Sequence, residues 1–281
     1  MAVFGSWAGG VEERTWADSR AAGVATEAIV LAPVLALGIA AARLPAPART
    51  VAMAVVTWAS LGGTSLGREG IAVHDLLAAD DLPGARAQVR NLVGRITDDL
   101  SADDVARAAI ESVAENTSDA VVGTLVWGAL LGPLGVVLHR AANTLDAMHG
   151  HRTPRYARFG WAAARLDDVL GWVPARVTVL ATAAASPLRA GEVIRAATRD
   201  GGAHPSPNAG PVEAGFAAAL DVRLGGRTVY SSGTEDRPQL GRGSAVTVAD
   251  LPRAVDLADR VGVLTLAAAV ALRWVISARG R

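Results

Sequence analysis

The chain has 281 residues, 51% of them apolar, and its mean hydropathy of +0.30 lies above ordinary soluble usage. Its 27 basic residues are all arginine and balance 27 acidic residues, so no net charge attracts nucleic acid and no nucleic-acid partner is expected. Cysteine is absent, which excludes disulfides, thiolate metal sites and a cysteine nucleophile. The first residues lack the pattern of a secretory signal, so internal segments are expected to direct any membrane insertion.

Apolar segments recur along the chain and predict a largely helical membrane protein. A helix needs about 20 apolar residues to cross a bilayer. Two segments reach that length and three are shorter: residues 21–42, 120–138, 51–67, 177–188 and 261–272. We therefore expect an all-α, polytopic membrane protein with about four to five transmembrane or re-entrant helices. We expect one membrane-embedded domain over residues 1–281. The alternative is a soluble, alanine-rich helical bundle, because short apolar runs are more often buried core helices.

Two polar regions, about residues 68–118 and 191–255, separate these segments. In the first region, Ser101 followed by Asp104 predicts a helix start with a capping box. In the second, the prolines of the sequence HPSPNAG, residues 204–210, exclude a helix. Pro211 then predicts a new helix that continues to Gly225 and Gly226. A short strand or hairpin is a further option around residues 227–230.

Acidic residues precede the apolar run 120–138 at a helical spacing. Glu111, Glu115 and Asp119 lie four residues apart, so a regular helix would align them on one face. Carboxylates with the amide oxygen of Asn116 suit Mg²⁺, which prefers oxygen ligands. Ionisable groups at a membrane edge are functional by default. The sequence therefore favours a metal site here, with a solvated charged face as the alternative.

The helix predicted after this run continues the polar pattern. His139, Asn143 and Asp146 share one face at spacings of four and three, and Arg140 lies beside them. Because arginine holds phosphate or carboxylate with two parallel hydrogen bonds, the arginines that follow are candidate phosphate ligands. Arg165 and Asp168 are alternatively an ordinary intrahelical ion pair. No zinc pattern is present, so the histidines are expected to have structural or hydrogen-bonding roles.

Three segments of the sequence resemble a known family. These segments are ESVAENTSDAVVGTLVWG, NTLDAMHGHRTPRYARFGWAAARLDDVLGWVPARVT and HPSPNAGPVEAGFAAALDVRLGGRTVY. They resemble, in order and spacing, the signature blocks of the CobD/CbiB family, the adenosylcobinamide-phosphate synthases of cobalamin biosynthesis. The resemblance implies a multi-pass inner-membrane enzyme that joins aminopropanol, as its O-phosphate, to the propionate carboxylate of adenosylcobyric acid. It also implies ATP and Mg²⁺ as cofactors.

The resemblance also gives roles to the polar residues. Bringing ATP, a corrinoid carboxylate and a phosphorylated amine together demands neutralisation of charge more than a nucleophile. Glu111, Glu115 and Asp119 are expected to hold Mg²⁺. The expected substrate and phosphate ligands are Arg140, Asn143, Arg152, Arg155, Arg165, Asn116 and Asn208. The catalytic candidates are Asp146 beside the metal, Asp167 or Asp168 as the base for the attacking ammonium, and His204 as a weaker base.

Other functions stay open on the residues alone. An intramembrane Mg²⁺-dependent prenyl-type transferase would also use acidic residues spaced by four, and a transporter or membrane sensor is the non-enzymatic class. No Walker A motif is present, so the ATP dependence rests on the resemblance. The expected partners are the corrinoid, the phosphorylated amino alcohol and the lipid bilayer, and a homo-oligomer is a further option. The resemblance places one more apolar helix and a GDP…HPV block ahead of the sequence VFGSWAGGVEE, and the chain is expected to start after that block.

Overall fold

The structure is a computed structural model that describes residues 2–150, 153–230 and 233–279. These residues form mostly helix, as expected, together with a small sheet. The helices are α1 (Ala2–Thr15), α2 (Arg20–Ala42), α3 (Ala46–Ser60), α4 (Gly63–Ala78), α5 (Leu82–Val89), α6 (Ala102–Asn116), α7 (Gly123–Leu131), α8 (Pro133–His149), α9 (Trp161–Ala185), α10 (Ala190–Arg199), α11 (Ala209–Leu220) and α12 (Asp250–Arg279). A π-helical segment, Thr117–Val122, joins α6 to α7, and short 3₁₀ turns lie at Pro187–Arg189 and Gly201–Ala203.

The chain divides into two compact units. Unit 1 comprises residues 1–61, 123–172 and 269–281, and unit 2 comprises residues 62–122 and 173–268. Each unit is built from separate stretches of the chain, and the single membrane-embedded domain over residues 1–281 stays a prediction.

Unit 1 is a bundle of helices around α8. This helix packs against α1, α2, α3 and α7. Its buried core is aliphatic and contains Ala8, Val11, Val30, Leu31, Ala141, Leu145 and Ala163. Helix α2 begins after Ser19, whose hydroxyl accepts a hydrogen bond from the backbone N–H of Ala22 at 3.1 Å. At Gly23 a Cβ atom would lie 1.9 Å from the carbonyl oxygen of Phe159, so glycine allows close contact there.

Unit 2 combines helices with a three-stranded sheet. Helix α11 packs against α6, α10 and the strands β1 (Val222–Tyr230) and β2 (Gly233–Leu240). Helix α6 begins with the predicted capping box: the Ser101 hydroxyl accepts the Asp104 backbone N–H, and the Asp104 carboxylate accepts the Ser101 backbone N–H. This confirms the helix start that the sequence predicted.

The sheet has the order β2-β1-β3, with β3 at Ser244–Ala245. Strands β1 and β2 form an antiparallel hairpin in which Thr228 pairs with Glu235 and Leu224 with Leu240, and the register shifts between Leu224 and Gly226. Strand β3 pairs with β1 in parallel. The optional hairpin around residues 227–230 is thus confirmed and longer than expected, and the all-α class is confirmed in part, because the described residues are mostly helix with one small sheet. Helix α11 ends at Leu220, well before the glycines that were expected to close it, because the residues from 222 onward form β1, which pairs first with β3 and, from Leu224, with β2.

The expected spanning segments are only partly confirmed. Two helical stretches of the described residues are long and apolar enough to cross a membrane, Arg20–Ala42 and Ala46–Ala78, and a third counts if the bent pair Trp161–Ala185 and Pro187–Ala203 is one span. The expected number of four to five is not confirmed. The run 120–138 is not one span, because Gly132 adopts a φ of 64° and Pro133 begins a new helix after it.

Candidate functional site

Charged side chains converge in the interior of unit 2, around the start of α11. We call this group the buried polar cluster; its members are Arg95, Glu111, His204, Glu213 and Arg237, and the exposed carboxylate of Glu115 acts on Glu213 electrostatically from outside the cluster. They come from the loop after α5, from α6, from the HPSPNAG loop, from α11 and from β2. Charges are rarely placed in a protein interior unless they are paired or used, so this cluster is the leading candidate for the functional site.

Glu111 is the anchored member of the cluster. Its residue surface is 2% exposed, and its Oε2 accepts a hydrogen bond from Arg95 Nη2 at 2.6 Å. Its Oε1 accepts the backbone N–H of Gly225 at 2.8 Å. Gly225 has a φ of 79°, and a Cβ there would lie 2.0 Å from the Pro238 carbonyl oxygen, so only glycine fits. Both oxygens of Glu111 are therefore bound by unit 2 itself.

Glu213 lies on α11 with a residue surface that is 1% exposed. Its Oε2 has no hydrogen-bond partner among the residues that the structure describes. Burial raises the pKa of this carboxyl well above its usual value, and the charges of Glu111 and Glu115 add to that increase, while Arg237 and Arg95 oppose it. Burial thus disfavours the charged form of Glu213 more strongly than that of an exposed glutamate.

His204 opens the HPSPNAG loop and is 9% exposed. Its Nδ1 accepts the backbone N–H of Ser206 at 3.0 Å, which places the proton of the neutral ring on Nε2. Within the described part of the chain, that buried Nε2 has no hydrogen-bond partner. Burial lowers the pKa of His204, and the positive charge of Arg237 lowers it further. The cluster therefore contains a neutral N–H donor as well as a buried carboxyl group with an unpartnered oxygen among the described residues.

The HPSPNAG loop is fixed by its own short-range hydrogen bonds. The Ser206 hydroxyl oxygen accepts the backbone N–H groups of Asn208 and Ala209, at 3.3 and 3.1 Å, where α11 begins. Asn208 is 8% exposed, and its Oδ1 accepts Arg176 Nη1 at 3.1 Å. Arg176 also donates to the Pro207 carbonyl oxygen at 3.0 Å. The predicted substrate ligand Asn208 thus has a structural partner that the sequence did not indicate.

Three further predicted residues of unit 2 lie on or after α6. Glu115 is exposed, and Asn116 donates from Nδ2 to the Ser112 carbonyl oxygen at 2.9 Å. Asp119 lies in the π-helical segment rather than in a regular helix, so it departs from the expected stack of carboxylates on one face. Helical π segments are found frequently at functional sites. The assignment of Glu111, Glu115 and Asp119 to a metal stays a prediction.

The donor chemistry of these residues fits Mg²⁺ bound together with a substrate. The residues in the described ranges contain no group of three or more His, Asp or Glu side chains that could hold a metal ion by themselves. Mg²⁺, however, usually takes one or two protein carboxylates and completes its shell with water and substrate phosphates. Glu115 and Asp119 supply carboxylates of that kind, whereas both oxygens of Glu111 are already bound.

The remaining predicted residues belong to unit 1. Arg140 Nη1 donates to Asn143 Oδ1 at 3.0 Å, and Asn143 Nδ2 donates to Asp167 Oδ1 at 3.5 Å. The structure therefore connects three predicted residues in one chain of hydrogen bonds. Arg165 and Asp168 form the exposed intrahelical ion pair that was the alternative interpretation, at 3.3 Å.

Two more predicted site residues, Asp146 and Arg155, belong to unit 1. Asp146 is half-buried on α8, and its backbone carbonyl accepts the N–H of Gly150 at 2.7 Å. Arg155 Nη2 lies 3.0 Å from Glu12 Oε1, and its guanidinium stacks on Trp16 at 4.6 Å. Arg152 lies outside the described residues.

A second buried polar group in unit 1 was not predicted. His149 is fully buried, and its Nδ1 lies 3.0 Å from Glu27 Oε1. Its Nε2 lies 3.4 Å from Glu12 Oε2, and the Tyr156 hydroxyl donates to Glu12 Oε1 at 2.9 Å. In the sequence, Glu27 is the only acid in a long apolar run, and this is the signal from which a buried partner could have been predicted.

Comparison with known proteins gives a consistent family. The sequence model of the family described as CobD/Cbib protein matches residues 1–258. The chain is 49% identical over 261 residues to the cobalamin biosynthesis protein CobD of Mycobacterium tuberculosis, covering 92% of this chain and 83% of that protein. It is 43% identical over 226 residues to the protein of the same name from Rhodobacter capsulatus, covering 79% and 72% of the two chains.

A third relative has the same name. It is the cobalamin biosynthesis protein CobD of Stutzerimonas stutzeri, 42% identical over 248 residues, which covers 88% of this chain and 80% of that protein. No solved structure matches the chain. The resemblance found in the three sequence blocks is confirmed over most of the chain: it belongs to the CobD/Cbib family.

Proposed function

We propose that the chain acts in cobalamin biosynthesis as an adenosylcobinamide-phosphate synthase. It would join the amine of aminopropanol O-phosphate, or of aminopropanol, to the propionate carboxylate of adenosylcobyric acid, with hydrolysis of ATP. The names of the relatives support the pathway. The buried polar cluster carries the proposal for the chemistry, because it offers groups of both charges and two buried polar atoms, Glu213 Oε2 and His204 Nε2, that lack partners in the described ranges.

The reaction explains why such a cluster is needed. A carboxylate does not react with an amine in water, so we propose that ATP first transfers its γ-phosphoryl group to the propionate oxygen. The amine nitrogen then attacks the acyl carbon, the phosphate leaves with its oxygen, and a proton leaves the nitrogen. Catalysis of such a transfer depends mainly on positioning and on neutralisation of charge. Bound Mg²⁺ would neutralise the phosphate oxygens, with Glu115 and Asp119 as its protein ligands and Glu111 as a further candidate.

The neutral ring of His204 suits one task in this scheme. With Nδ1 occupied by the Ser206 N–H, its Nε2–H is a donor that can stabilise a developing oxyanion. A base for the ammonium proton is proposed among Asp167, Asp168 and His204, with Asp146 as an additional catalytic candidate. Arg140, Asn143, Arg152, Arg155 and Arg165 stay proposed ligands of phosphate and substrate.

We also propose that the protein is a multi-pass protein of the cell inner membrane. The two candidate spans support this placement, and the corrinoid and ATP would then be bound from the cytoplasmic side. Family membership supports the ligase over the prenyl-type transferase and the transporter, because the relatives are named for cobalamin biosynthesis.

The test is reconstitution of the reaction. Detergent-purified protein is incubated with adenosylcobyric acid, ATP, Mg²⁺ and either aminopropanol O-phosphate or aminopropanol, and the corrinoid product is identified by mass spectrometry. We expect a product heavier by the amine minus one water, and none when ATP or Mg²⁺ is omitted. If folded protein that is supplied with all of these components forms no amide with either amine, the proposal is contradicted. Complementation of a strain that lacks the cobinamide-forming step is the matching test in cells.

A further inference from the structure

The environment of Glu213 has the properties of a binding site for a small cation. Glu213 Oε2 is a buried oxygen that accepts no hydrogen bond from the residues that the structure describes. Leaving such an oxygen unpaired costs free energy, and a native protein retains it when a ligand supplies the missing donor. Two more carboxylates, those of Glu111 and Glu115, act on it electrostatically. The surroundings of this oxygen therefore favour a positively charged donor.

The positive charges of the cluster are already engaged. Arg95 is bound to Glu111 at 2.6 Å, and Arg237 Nε lies 3.6 Å from Glu235 Oε2. On the neighbouring helix α10, Arg195 pairs with Glu192 and Arg199 with Asp200. His204, the remaining basic side chain of the cluster, is held neutral by its burial, which lowers its pKa. Glu213 is thus the acidic group in excess, and a cation bound to it would balance the cluster.

An ammonium group fits this arrangement better than a divalent metal. At this buried position a metal ion would need several protein oxygens in place of water, and the described residues provide no such group of three. Glu111 cannot easily join one, because Arg95 and the Gly225 N–H occupy its two oxygens. An ammonium instead requires only hydrogen-bond acceptors and has no strict coordination geometry. A single orphan carboxylate oxygen with further negative charge nearby satisfies that requirement.

We propose that Glu213 binds the primary ammonium of the amine substrate through a hydrogen bond to Oε2, an inference that rests on the proposed function. In the complex the carboxylate of Glu213 accepts this hydrogen bond from the ammonium. Glu213 is thus a binding residue that selects amines.

The experiment compares two phosphates that differ only in the amine. Detergent-purified protein, without ATP or corrinoid, is titrated in a calorimeter with aminopropanol O-phosphate and with isopropyl phosphate, which lacks the amine. We expect the wild type to bind the amine at least about tenfold more tightly, since a hydrogen bond between charged groups contributes that much. Glu213→Gln keeps the shape but removes the charge, and we expect the two dissociation constants to become equal within about twofold. Glu13→Gln changes an exposed glutamate on α1 and should keep the full preference.

Two further results make the inference falsifiable. A Glu213→Gln protein that is folded and still prefers the amine tenfold overturns it. If this variant does not fold, Glu213→Asp is titrated with the same two phosphates. The shorter side chain withdraws the carboxylate by one methylene, so the preference for the amine should fall below about threefold. A folded Glu213→Asp protein that keeps the tenfold preference overturns the inference.

These measurements separate the inference from the proposed function. They record equilibrium binding and need no turnover. Wild-type protein that prefers the amine but forms no amide in the reconstitution contradicts the ligase and leaves the role of Glu213 standing. Protein that forms the amide but shows no preference for the amine over isopropyl phosphate contradicts the role of Glu213 and leaves the ligase standing.

Discussion

Glu111 shows how a residue selected from the sequence can have a second role in the fold. Its spacing to Glu115 indicated a metal ligand, and the structure places its carboxylate between Arg95 and the backbone of Gly225. The side chains of Glu111 and Arg95 are 3% and 7% exposed. In such a site the loss of one partner leaves the other charge buried and uncompensated.

Replacement of Glu111 should therefore destabilise the protein strongly. Glu111→Gln leaves the Arg95 guanidinium buried without an anion, which costs about 3 to 5 kcal/mol in comparable buried pairs. The measurement is the free energy of unfolding from a denaturant titration in mild detergent. The control is Asp98→Asn, which breaks the exposed ion pair with Arg90 and should cost less than about 1 kcal/mol. Equal losses in the two variants would show that the buried pair has no special role in stability.

Substitutions at Arg155 and Arg165 can distinguish a structural role of an arginine from a phosphate-binding role. Arg155 contacts both Glu12 and Trp16, while Arg165 pairs only weakly with Asp168 on the exposed face of α9. Lysine keeps the charge but loses the planar fork that both contacts of Arg155 use. Stability and binding should therefore respond differently at the two positions.

We expect Arg155→Lys to lower the melting temperature, because the stack on Trp16 and the two hydrogen bonds to Glu12 are lost. Arg165→Lys should leave the melting temperature unchanged and, if this arginine binds phosphate as predicted, raise the KM for ATP about tenfold. Arg68→Lys, on the exposed face of α4, is the control and should change neither quantity. An unchanged KM in Arg165→Lys would leave only the intrahelical ion pair as its role.

Glu213 also shows where prediction from sequence ends at this scale. It is one glutamate in an alanine-rich helix, and nothing in its spacing distinguishes it from a solvated residue. Its importance arises from burial and from the approach of Glu111 on another helix, which are properties of the tertiary structure. Glu115, in contrast, was selected from the sequence and does act on Glu213, because α6 and α11 pack together.

At the scale of elements, local chemistry explains both the successful and the failed predictions. The capping box at Ser101 was predictable because it depends on two residues three positions apart. The π-helical segment after α6 was not predicted. Its first residue, Thr117, donates its hydroxyl to the Val113 carbonyl at 2.7 Å, and such back-bonding disturbs the regular ladder of a helix.

The hairpin illustrates a long-range cause. The glycines 225 and 226 were read as the end of a helix, a role that isolated glycines often have. Here they adopt φ values of 79° and 89° inside β1, at the irregularity that aims the Gly225 N–H at Glu111. The pairing of β1 with β2 outweighs the local signal, and local sequence alone does not reveal that pairing.

Substitution of Gly225 tests this element. In Gly225→Ala the new Cβ would clash with the Pro238 carbonyl, and the positive φ adds backbone strain, so we expect a loss of more than about 2 kcal/mol in stability. Gly202→Ala is the matched control, since no atom lies within 4 Å of its added Cβ and its φ is not positive, and stability should hardly change. Both values come from the same denaturant titrations. A neutral Gly225→Ala would mean that the hairpin can shift and that its amide is not fixed on Glu111.

At the scale of the whole molecule, composition predicted the apolar character of a membrane protein more reliably than it predicted the number and positions of the membrane-length helices. The apolar excess and the run 21–42 corresponded to α2, but the cleanest run, 120–138, is divided at Gly132 and Pro133. The dipeptide Gly132–Pro133 is a sequence signal for a helix break. The prediction considered only the length of the apolar run and therefore missed this signal. Helix α2 has 23 residues and therefore measures about 35 Å, enough to cross the hydrocarbon core of about 30 Å.

Membrane insertion of α2 is testable because the chain contains no cysteine. The protein should stay with the membrane fraction after a carbonate wash. Single cysteines introduced at chosen positions then report whether each position lies in the bilayer. Ile29, on α2, is 46% exposed on the protein surface and should face lipid, while Asp98 lies in an exposed polar loop. In permeabilised cells a charged maleimide should label Asp98→Cys and spare Ile29→Cys until detergent is added, because the reagent does not enter hydrocarbon. Rapid labelling of both positions, or folded monomer recovered without detergent, would contradict insertion and favour the soluble bundle.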